Sequence, residues 1–191
     1  ASGNSATDQQ IVTVVDNENP VAITQDITVY LDANGAASIT TGDINDNSTD
    51  NCAITSMSLD VSSFDCNDLA NAGANTVTLT VEDAATNSDT ETATVTVVDN
   101  INPTITAPVD VSVMVDAGTC AAATANVALG AAVTDDNCAA TINAATNDAP
   151  ASYVLGTNTV TWTVTDASGN SATDQQIVTV VDNEVPTITA P

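Results

Sequence analysis

The sequence contains no lysine, arginine or histidine, against 25 Asp and Glu, so 191 residues carry a formal net charge of −25. Without a base no side-chain ion pair can form. Every carboxylate must be solvated, held by backbone or amide hydrogen bonds, or neutralised by a bound cation. The same absence excludes nucleic acid and anionic membrane surfaces as partners, since both need basic patches. Aromatic residues are scarce as well, with only Trp162, Tyr30, Tyr153 and Phe64 present, which leaves little platform for stacking sugars. No apolar run approaches membrane-spanning length, so no direct membrane insertion is expected. No signal peptide is visible. There is no Cys-x-x-Cys pair, which together with the missing histidines argues against a cysteine-based metal site. For catalysis only a carboxylate pair of the glycosidase kind remains chemically open. No residue is assigned a catalytic role, and the chain is not expected to be an enzyme.

What is present is repetition. Residues 1–18, ASGNSATDQQIVTVVDNE, recur letter for letter at 167–184, and VVDN stands at 14–17, 97–100 and 180–183, a spacing of 83. A fixed period of this size marks a tandem array. The chain reads as a window on a longer polymer. Residues 1–19 are the C-terminal strand and linker of a preceding module, 20–102 and 103–185 are complete modules, and 186–191 begin the next. A near-identical repeat argues against a unique active site, because every unit would have to carry it.

Period-2 alternation dominates outside the Asp/Asn-rich stretches. In 75–83 Val77, Leu79 and Val81 alternate with Thr76, Thr78 and Thr80, and 83 residues on Val160, Trp162 and Val164 take the same places. β-Branched residues fit a pleated surface, so both stretches predict strands. Further strands are expected at 27–31, 36–40, 54–59, 92–98, 109–115, 121–129, 139–144 and 177–181, divided by the turn signals DANG, NAGAN, DAG and DASGN. No long helix is expected. About seven short strands per 83 residues predict an all-β chain of immunoglobulin-like β-sandwich modules in a linear array. Pro20, Pro103 and Pro186 stand where one module hands over to the next, and proline there stiffens the linker. The apolar residues are mostly Ala and Val, so each core is thin and extra stabilisation is expected.

Residues 103–185 resemble a hyalin-repeat module through PTITAPVDVSV, DAGTC, TDDNC, LGTNTVTWTVTDASGNSAT and VVDNEVP, in that order. Residues 20–102 resemble the variant form found in giant surface proteins of Bacteroidota, through QDITVYLDANGAASIT, DINDNSTDNC, SLDVSSFDC and ANTVTLTVEDAATNS. The resemblance covers essentially the whole chain. It implies an extracellular, cell-surface array that serves an adhesin as stalk or spacer, and it implies no catalytic residues.

Each complete module holds two cysteines, Cys52 and Cys66 in one, Cys120 and Cys138 in the other. Cys52 and Cys138 each follow an Asp-Asn pair and are expected in equivalent loops. Their companions do not match: Cys66 lies 14 residues after Cys52, and Cys120 lies 18 before Cys138. The expectation is one disulfide within each module, Cys52–Cys66 and Cys120–Cys138. Each would contribute roughly 3 kcal/mol and require an oxidising compartment.

The acids and amides gather in three places per module. The linkers carry Asp16, Asn17 and Glu18, then Asp99, Asn100 and Asn102, then Asp182, Asn183 and Glu184. The loops before Cys52 and Cys138 carry Asp43, Asp46, Asp50 and Asn51, and Asp135, Asp136 and Asn137. The turns after the regular strands carry Asp83 with Asn87, and Asp166 with Asn170. Immunoglobulin-like topology brings incoming linker, pre-cysteine loop and post-strand turn to one end of each module. Carboxylates crowded there raise each other's energy unless a cation intervenes, and oxygen-only ligand sets suit Ca²⁺. The linker VVDNENP is similar to the acidic linkers of cadherin repeats. Ca²⁺ is therefore the expected cofactor, with these residues as candidate ligands. Asp and Asn also favour turns and caps in solvated loops, and that reading stays open beside it. An EF-hand is excluded, since Ser48 stands at the turn glycine and Ile54 at the final glutamate of a loop begun at Asp43.

The function read from these features is structural: a stalk, spacer or filament whose partners are the neighbouring modules of the same chain, with lateral self-association of chains into filaments as a further contact. The alternative is an adhesive module that recognises a glycan, a surface or a host protein through its loops.

Overall fold

The computed structural model describes residues 2–71 and 75–189. Most of the expected NAGAN turn and the last two residues of the 186–191 segment lie outside the described residues. Among the described residues the chain is all-β apart from one short helix and three 3-10 turns. In order it forms β1 (Ile27–Tyr30), β2 (Ala36–Ser38), α1 (Thr41–Ile44), β3 (Ile54–Leu59), β4 (Ser63–Asp65), β5 (Asn75–Asp83) and β6 (Ser88–Val98). Then follow β7 (Thr104–Thr106), β8 (Val111–Met114), β9 (Ala121–Ala123), β10 (Val133–Asp135), β11 (Thr146–Asn147), β12 (Ser152–Val154), β13 (Gly156–Thr165) and β14 (Ser171–Val181).

Two compact units emerge, whose bounds differ from those of the 83-residue repeats chiefly at 30–37 and 64–70. The first comprises 1–29, 38–63 and 71–97; the second comprises 30–37, 64–70 and 98–191. Segments 30–37 and 64–70 join the second unit partly because Cys66 is bonded to Cys138 and Asn137 Nδ2 donates to the Asp32 carbonyl at 3.3 Å.

In the first unit β5 pairs antiparallel with β6 from Asn75↔Val95 to Glu82↔Ser88, and with β3 on its other side, across a bulge between Ile54 and Ser56. Alternation decides the faces as expected. Val77, Leu79 and Val81 of β5 are fully buried, and Ala93, Val95 and Val97 of β6 lie beside them on the same face. Each buried Val or Leu contributes about 1.5–3 kcal/mol, so a thin core still holds. α1 adds Ile44, also fully buried.

In the second unit β13 and β14 pair over ten residues, from Gly156↔Val180 to Thr165↔Ser171. β14 runs parallel to β8, and β11 takes the other edge. The β9–β12 pair supplies the facing layer. Ala122 and Tyr153 from that layer pack in one cluster with Val160, Trp162, Val178 and Val180. One polar group sits in the sheet face. Gln176 is completely buried, accepts from Trp162 Nε1 at 3.2 Å, and donates to the Val109 and Leu129 carbonyls at 2.8 and 2.9 Å. At the places 83 residues earlier stand Ala93 and Leu79, so the first unit has no such network there.

Two strand expectations fail. Residues 139–144 form a 3-10 turn, Ala139–Thr141, in place of a strand. Thr141 N and Oγ1 both donate to the Cys138 carbonyl at 2.8 Å, and Asn143 bonds the end of β13. The strand begun at Ala121 stops at Ala123 and turns through Thr124–Asn126, where Asn126 Nδ2 reaches Asp116 Oδ1 at 2.8 Å. Residues 5–15 have the same sequence as β14 yet form no strand, and their apolar side chains are exposed. A strand is made by its neighbour, and β14 has β13 alongside.

Candidate metal centre

Turn chemistry places the acids. Asp83 ends β5, and its carboxylate folds back on the turn that follows: Oδ1 accepts from Ala85 N and Asn87 N, both at 2.8 Å, and Oδ2 from Asn87 Nδ2 at 2.7 Å. Asp166 does the same at the end of β13, with Asn170 N and Nδ2 each at 2.8 Å. The asparagine amides also reach back to the linker carbonyls, Asn87 to Asp16 O at 3.4 Å and Asn170 to Asp99 O at 3.2 Å. In the loops before the cysteines, Asp50 Oδ2 accepts from Cys52 N and Ala53 N at 2.9 Å, and Asp136 Oδ2 from Cys138 N at 3.0 Å. These are Asx turns, for which Asp is favoured.

The result is two three-carboxylate groups of the same design. Asp16, Asp50 and Asp83 bring one oxygen each within 4.8 Å of the others, and so do Asp99, Asp136 and Asp166. Each group lies wholly within one compact unit. Burial is uneven, with Asp83 and Asp166 only 2% exposed and Asp99 4%, while Asp16, Asp50 and Asp136 are half-buried. Some of their oxygens have no hydrogen-bond donor. Asp16 Oδ2 and Asp50 Oδ1 are buried and unpartnered in the first group, and Asp99 Oδ2, Asp136 Oδ1 and the neighbouring Asn137 Oδ1 in the second. Like charges at this distance repel by about 3 kcal/mol per pair at an effective dielectric constant near 20. Buried acceptors without donors add a desolvation cost to that.

Asp136 and Asp16 are shifted in opposite directions. Burial pushes the Asp136 carboxyl above its ordinary range, opposed by the Cys138 N–H and reinforced by Asp99 and Asp166. Asp16 is held below the ordinary value, first by a hydrogen bond from the Cys52 thiol and then by Glu18 N. The Cys52 thiol is raised in return, by that hydrogen bond, by the Asp16 charge and by burial.

Six of the candidate acids are therefore brought together. Asn51, Asn87, Asn137 and Asn170 line the same places through their hydrogen bonds, and Glu18 joins through Asn51, whose Nδ2 lies 3.1 Å from Glu18 Oε2. Others are engaged elsewhere. Asp43 Oδ2 takes the N–H and O–H of Thr40, both at 2.7 Å. Asp46 accepts from Asn47, Asp135 from Asp136 N, and Asp182 from Glu184 N. Glu184 accepts from Gly118 N. Asn102 lines a cleft with Asp135, Asp136 and Asn137.

The expected disulfides do not form. Cys66 is bonded to Cys138, 72 residues away, and Cys52 and Cys120 are free and exposed. Strand direction supplies the reason. Cys138 sits with Asp166 at the end of β13, whereas the turn holding Cys120 bonds Glu184, beyond the end of β14 that pairs with the start of β13. Ten residues of strand put roughly 30 Å between those two ends. The glycine Gly35 could have hinted at the true pairing. It has φ +72°, and a Cβ there would stand 2.6 Å from both Cys66 Sγ and the Asn137 carbonyl, so only glycine lets the 32–36 turn meet the bonded pair.

No protein-family model matches the chain, and no curated protein matches it. Among solved structures it is similar to the extracellular cadherin domains 1–4 of protocadherin gamma B7, at 11% identity and a TM-score of 0.39 over 88% of this chain and 52% of that one. The chain thus spans about half the length of that structure. It is also similar to domains EC22–24 of mouse cadherin-23, at 13% identity and TM-score 0.37 over 88% of this chain and 66% of that one. The I67–I69 fragment of titin gives 12% and 0.37 over 87% and 67%. Likeness at these scores says nothing about ligands or partners. Among the described residues no helix is long and apolar enough to cross a membrane.

Proposed function

We propose that the chain is a structural segment of an extracellular adhesin, a stalk, spacer or filament in linear array, whose repeats are stiffened by Ca²⁺ at the two carboxylate groups. The carrying observation is the duplicated group itself. Asp16 and Asp99, like Asp83 and Asp166, are 83 residues apart, and each group combines crowded carboxylates with buried oxygens that lack donors. Ca²⁺ takes six to eight oxygen ligands from carboxylates, amide and backbone carbonyls and water, which is the donor set on offer here. Asp99, Asp136, Asp166 and Asn137 would hold the ion in the second unit, and Asp16, Asp50 and Asp83 in the first. The ion would tie the linker to the loop before the cysteine and the turn after the long strand, adding to the hydrogen bonds that already run between these pieces. The hyalin-repeat resemblance, the cell-surface location and lateral self-association belong to this proposal. Net charge −25 and the scarcity of aromatics support a role of length and stiffness over one of recognition.

The test is calorimetric titration of the chelated protein with Ca²⁺, paired with thermal melts. Saturable binding with a rise in melting temperature is expected, because a ligand bound only by the folded state stabilises it by mass action. Absence of binding, with melts indifferent to chelator, would dispose of the calcium reading.

A further inference from the structure

We propose that Cys120 and Cys52 are the two halves of a second disulfide, joining one copy of this repeat pair to the copy that follows it, so that the covalent link seen at Cys66–Cys138 recurs at every repeat boundary. This rests on reading the chain as a tandem array. The Cys52 half is argued from Cys138, which is bonded. Both follow Asp-Asn, both donate their backbone N–H to the preceding Asp Oδ2, at 2.9 and 3.0 Å, and both adjoin a three-carboxylate group of the same construction. One of these two equivalent thiols is oxidised onto a partner and the other is free and exposed.

The Cys120 half is argued from the turn that receives Cys138. There Cys66 Sγ lies 3.7 Å from the Gly35 carbonyl, in a turn closed by Asp32 N to Ala36 O at 2.8 Å and Gly35 N to Asp32 O at 2.9 Å. Residues 116–121 form a related turn one residue longer, with Asp116 N to Ala121 O at 2.7 Å and Thr119 N to Asp116 O at 2.9 Å, and with Gly118 at φ +72° one place earlier in its turn than Gly35. Cys120 lies two residues after Gly118, which stands 83 residues beyond Gly35. In one repeat the thiol reaches this corner from 66, after β4; in the other it is built into the turn. That difference explains why the cysteine spacings disagree between the repeats although the link they make is the same.

Bond formation removes one hydrogen from each thiol as the Sγ–Sγ bond is made. The two electrons and two protons pass to a low-molecular-weight disulfide, which leaves as two thiols. The identity of residues 1–18 with 167–184 permits a direct test. A chain running from residue 1 to 184 and continuing at residue 19 of a second copy contains no junction foreign to this sequence. It is refolded with oxidised glutathione, digested under non-reducing conditions and mapped by mass spectrometry. The expected product links Cys120 of the first copy to Cys52 of the second, keeps Cys66–Cys138 in each copy, and leaves only the outermost Cys52 and Cys120 open to maleimide. Cys120→Ser in the first copy should expose Cys52 of the second to maleimide and leave the other links intact. Free Cys120 and Cys52 at the inner boundary, or either one bonded within its own copy, overturns the proposal. Calcium titration of the same protein reads the carboxylate groups separately, so loss of the disulfide and loss of the array reading are distinguishable.

Discussion

Replacing Asp136 by asparagine should make the metal-free protein more stable and the calcium-loaded protein less responsive. The three oxygens of the second group lie within 4.8 Å of one another. Each charge pair therefore costs about 3 kcal/mol or more at an effective dielectric constant near 20, and neutralising one member removes two of the three pairs. On that figure the repulsion removed is about 6–7 kcal/mol. The wild-type protein already relieves part of the repulsion, since burial and its two neighbours favour the protonated Asp136. The measured gain is accordingly smaller than that sum. A domain of roughly 100 residues shifts its melting temperature by about 4–8 °C per kcal/mol, so even a small fraction of it is visible. The substitution is conservative in shape: asparagine keeps an oxygen for the Cys138 N–H, and its new amide can donate toward the oxygens that lack donors, Asp99 Oδ2 among them. Trp162, the single tryptophan, lies in the same compact unit and reports its unfolding by fluorescence. Melts in chelator and in millimolar Ca²⁺ should cross over: Asp136→Asn melts higher than wild type without calcium and gains less from its addition. If the variant melts lower in chelator and keeps the full calcium response, the crowding argument fails.

Cys66→Ser opens a loop of 72 residues and should cost about 4 kcal/mol by chain entropy, whereas Cys52→Ser and Cys120→Ser in the single chain should leave denaturant midpoints unchanged. Gln176→Leu leaves Trp162 Nε1 and the Val109 and Leu129 carbonyls without partners. At about 1 kcal/mol or more for each orphaned group, a loss near 3 kcal/mol is expected in urea titration; a loss below about 1 kcal/mol would mean that the network contributes little. Acid should unfold the protein through a defined set of carboxylates. Asn34 N and Ala36 N hold Asp32 below the ordinary value, as do Thr40 Oγ1 and N for Asp43, Thr78 N for Asp60 and Ala107 N for Asp174. Their folded forms bind protons less readily than the unfolded chain, so the stabilisation is complete above about pH 4 and is lost as pH falls below it. Asp136 has the opposite sign, so in chelator its repulsion is relieved as pH falls, before that loss begins. Circular dichroism melts from pH 7 to 2 check both; unchanged melting at pH 2 contradicts the first.

Much of the fold was legible where side chains alternate without interruption. Val77, Leu79 and Val81, and Val160, Trp162 and Val164, announce a buried face, and all of them are buried. The short strands at the margins were harder, because Ala139–Thr141 offers alanines that carry no period and a hydroxyl that bonds the carbonyl three residues back. The acid groups were readable in outline. Linker, loop and turn recur with the repeat, and topology brings Asp16, Asp50 and Asp83, or Asp99, Asp136 and Asp166, to one place. Asp43 and Asp135 are carboxylates in the same loops, but they bond Thr40 and the Asp136 backbone, and only the fold distinguishes them. The disulfide was misread because spacing along the chain is silent about which end of a ten-residue strand each cysteine occupies.

The eleven residues SATDQQIVTVV occur twice, at 5–15 and at 171–181, and the two occurrences form an internal control. Composition, propensity and local sequence are held constant, and only the surroundings differ. At 171–181 the string is β14, with Val178 and Val180 at 0% and 2% exposure; at 5–15 the matching Val12 and Val14 are 77% and 92% exposed. Threonine and valine rank among the strongest strand formers, yet here they do not suffice. The free energy that selects the extended, paired state is supplied by β13 and β8 on either side and by the apolar layer beneath. Any scale that assigns each residue a fixed conformational preference must give these two segments the same score, so the difference between them lies in their tertiary context.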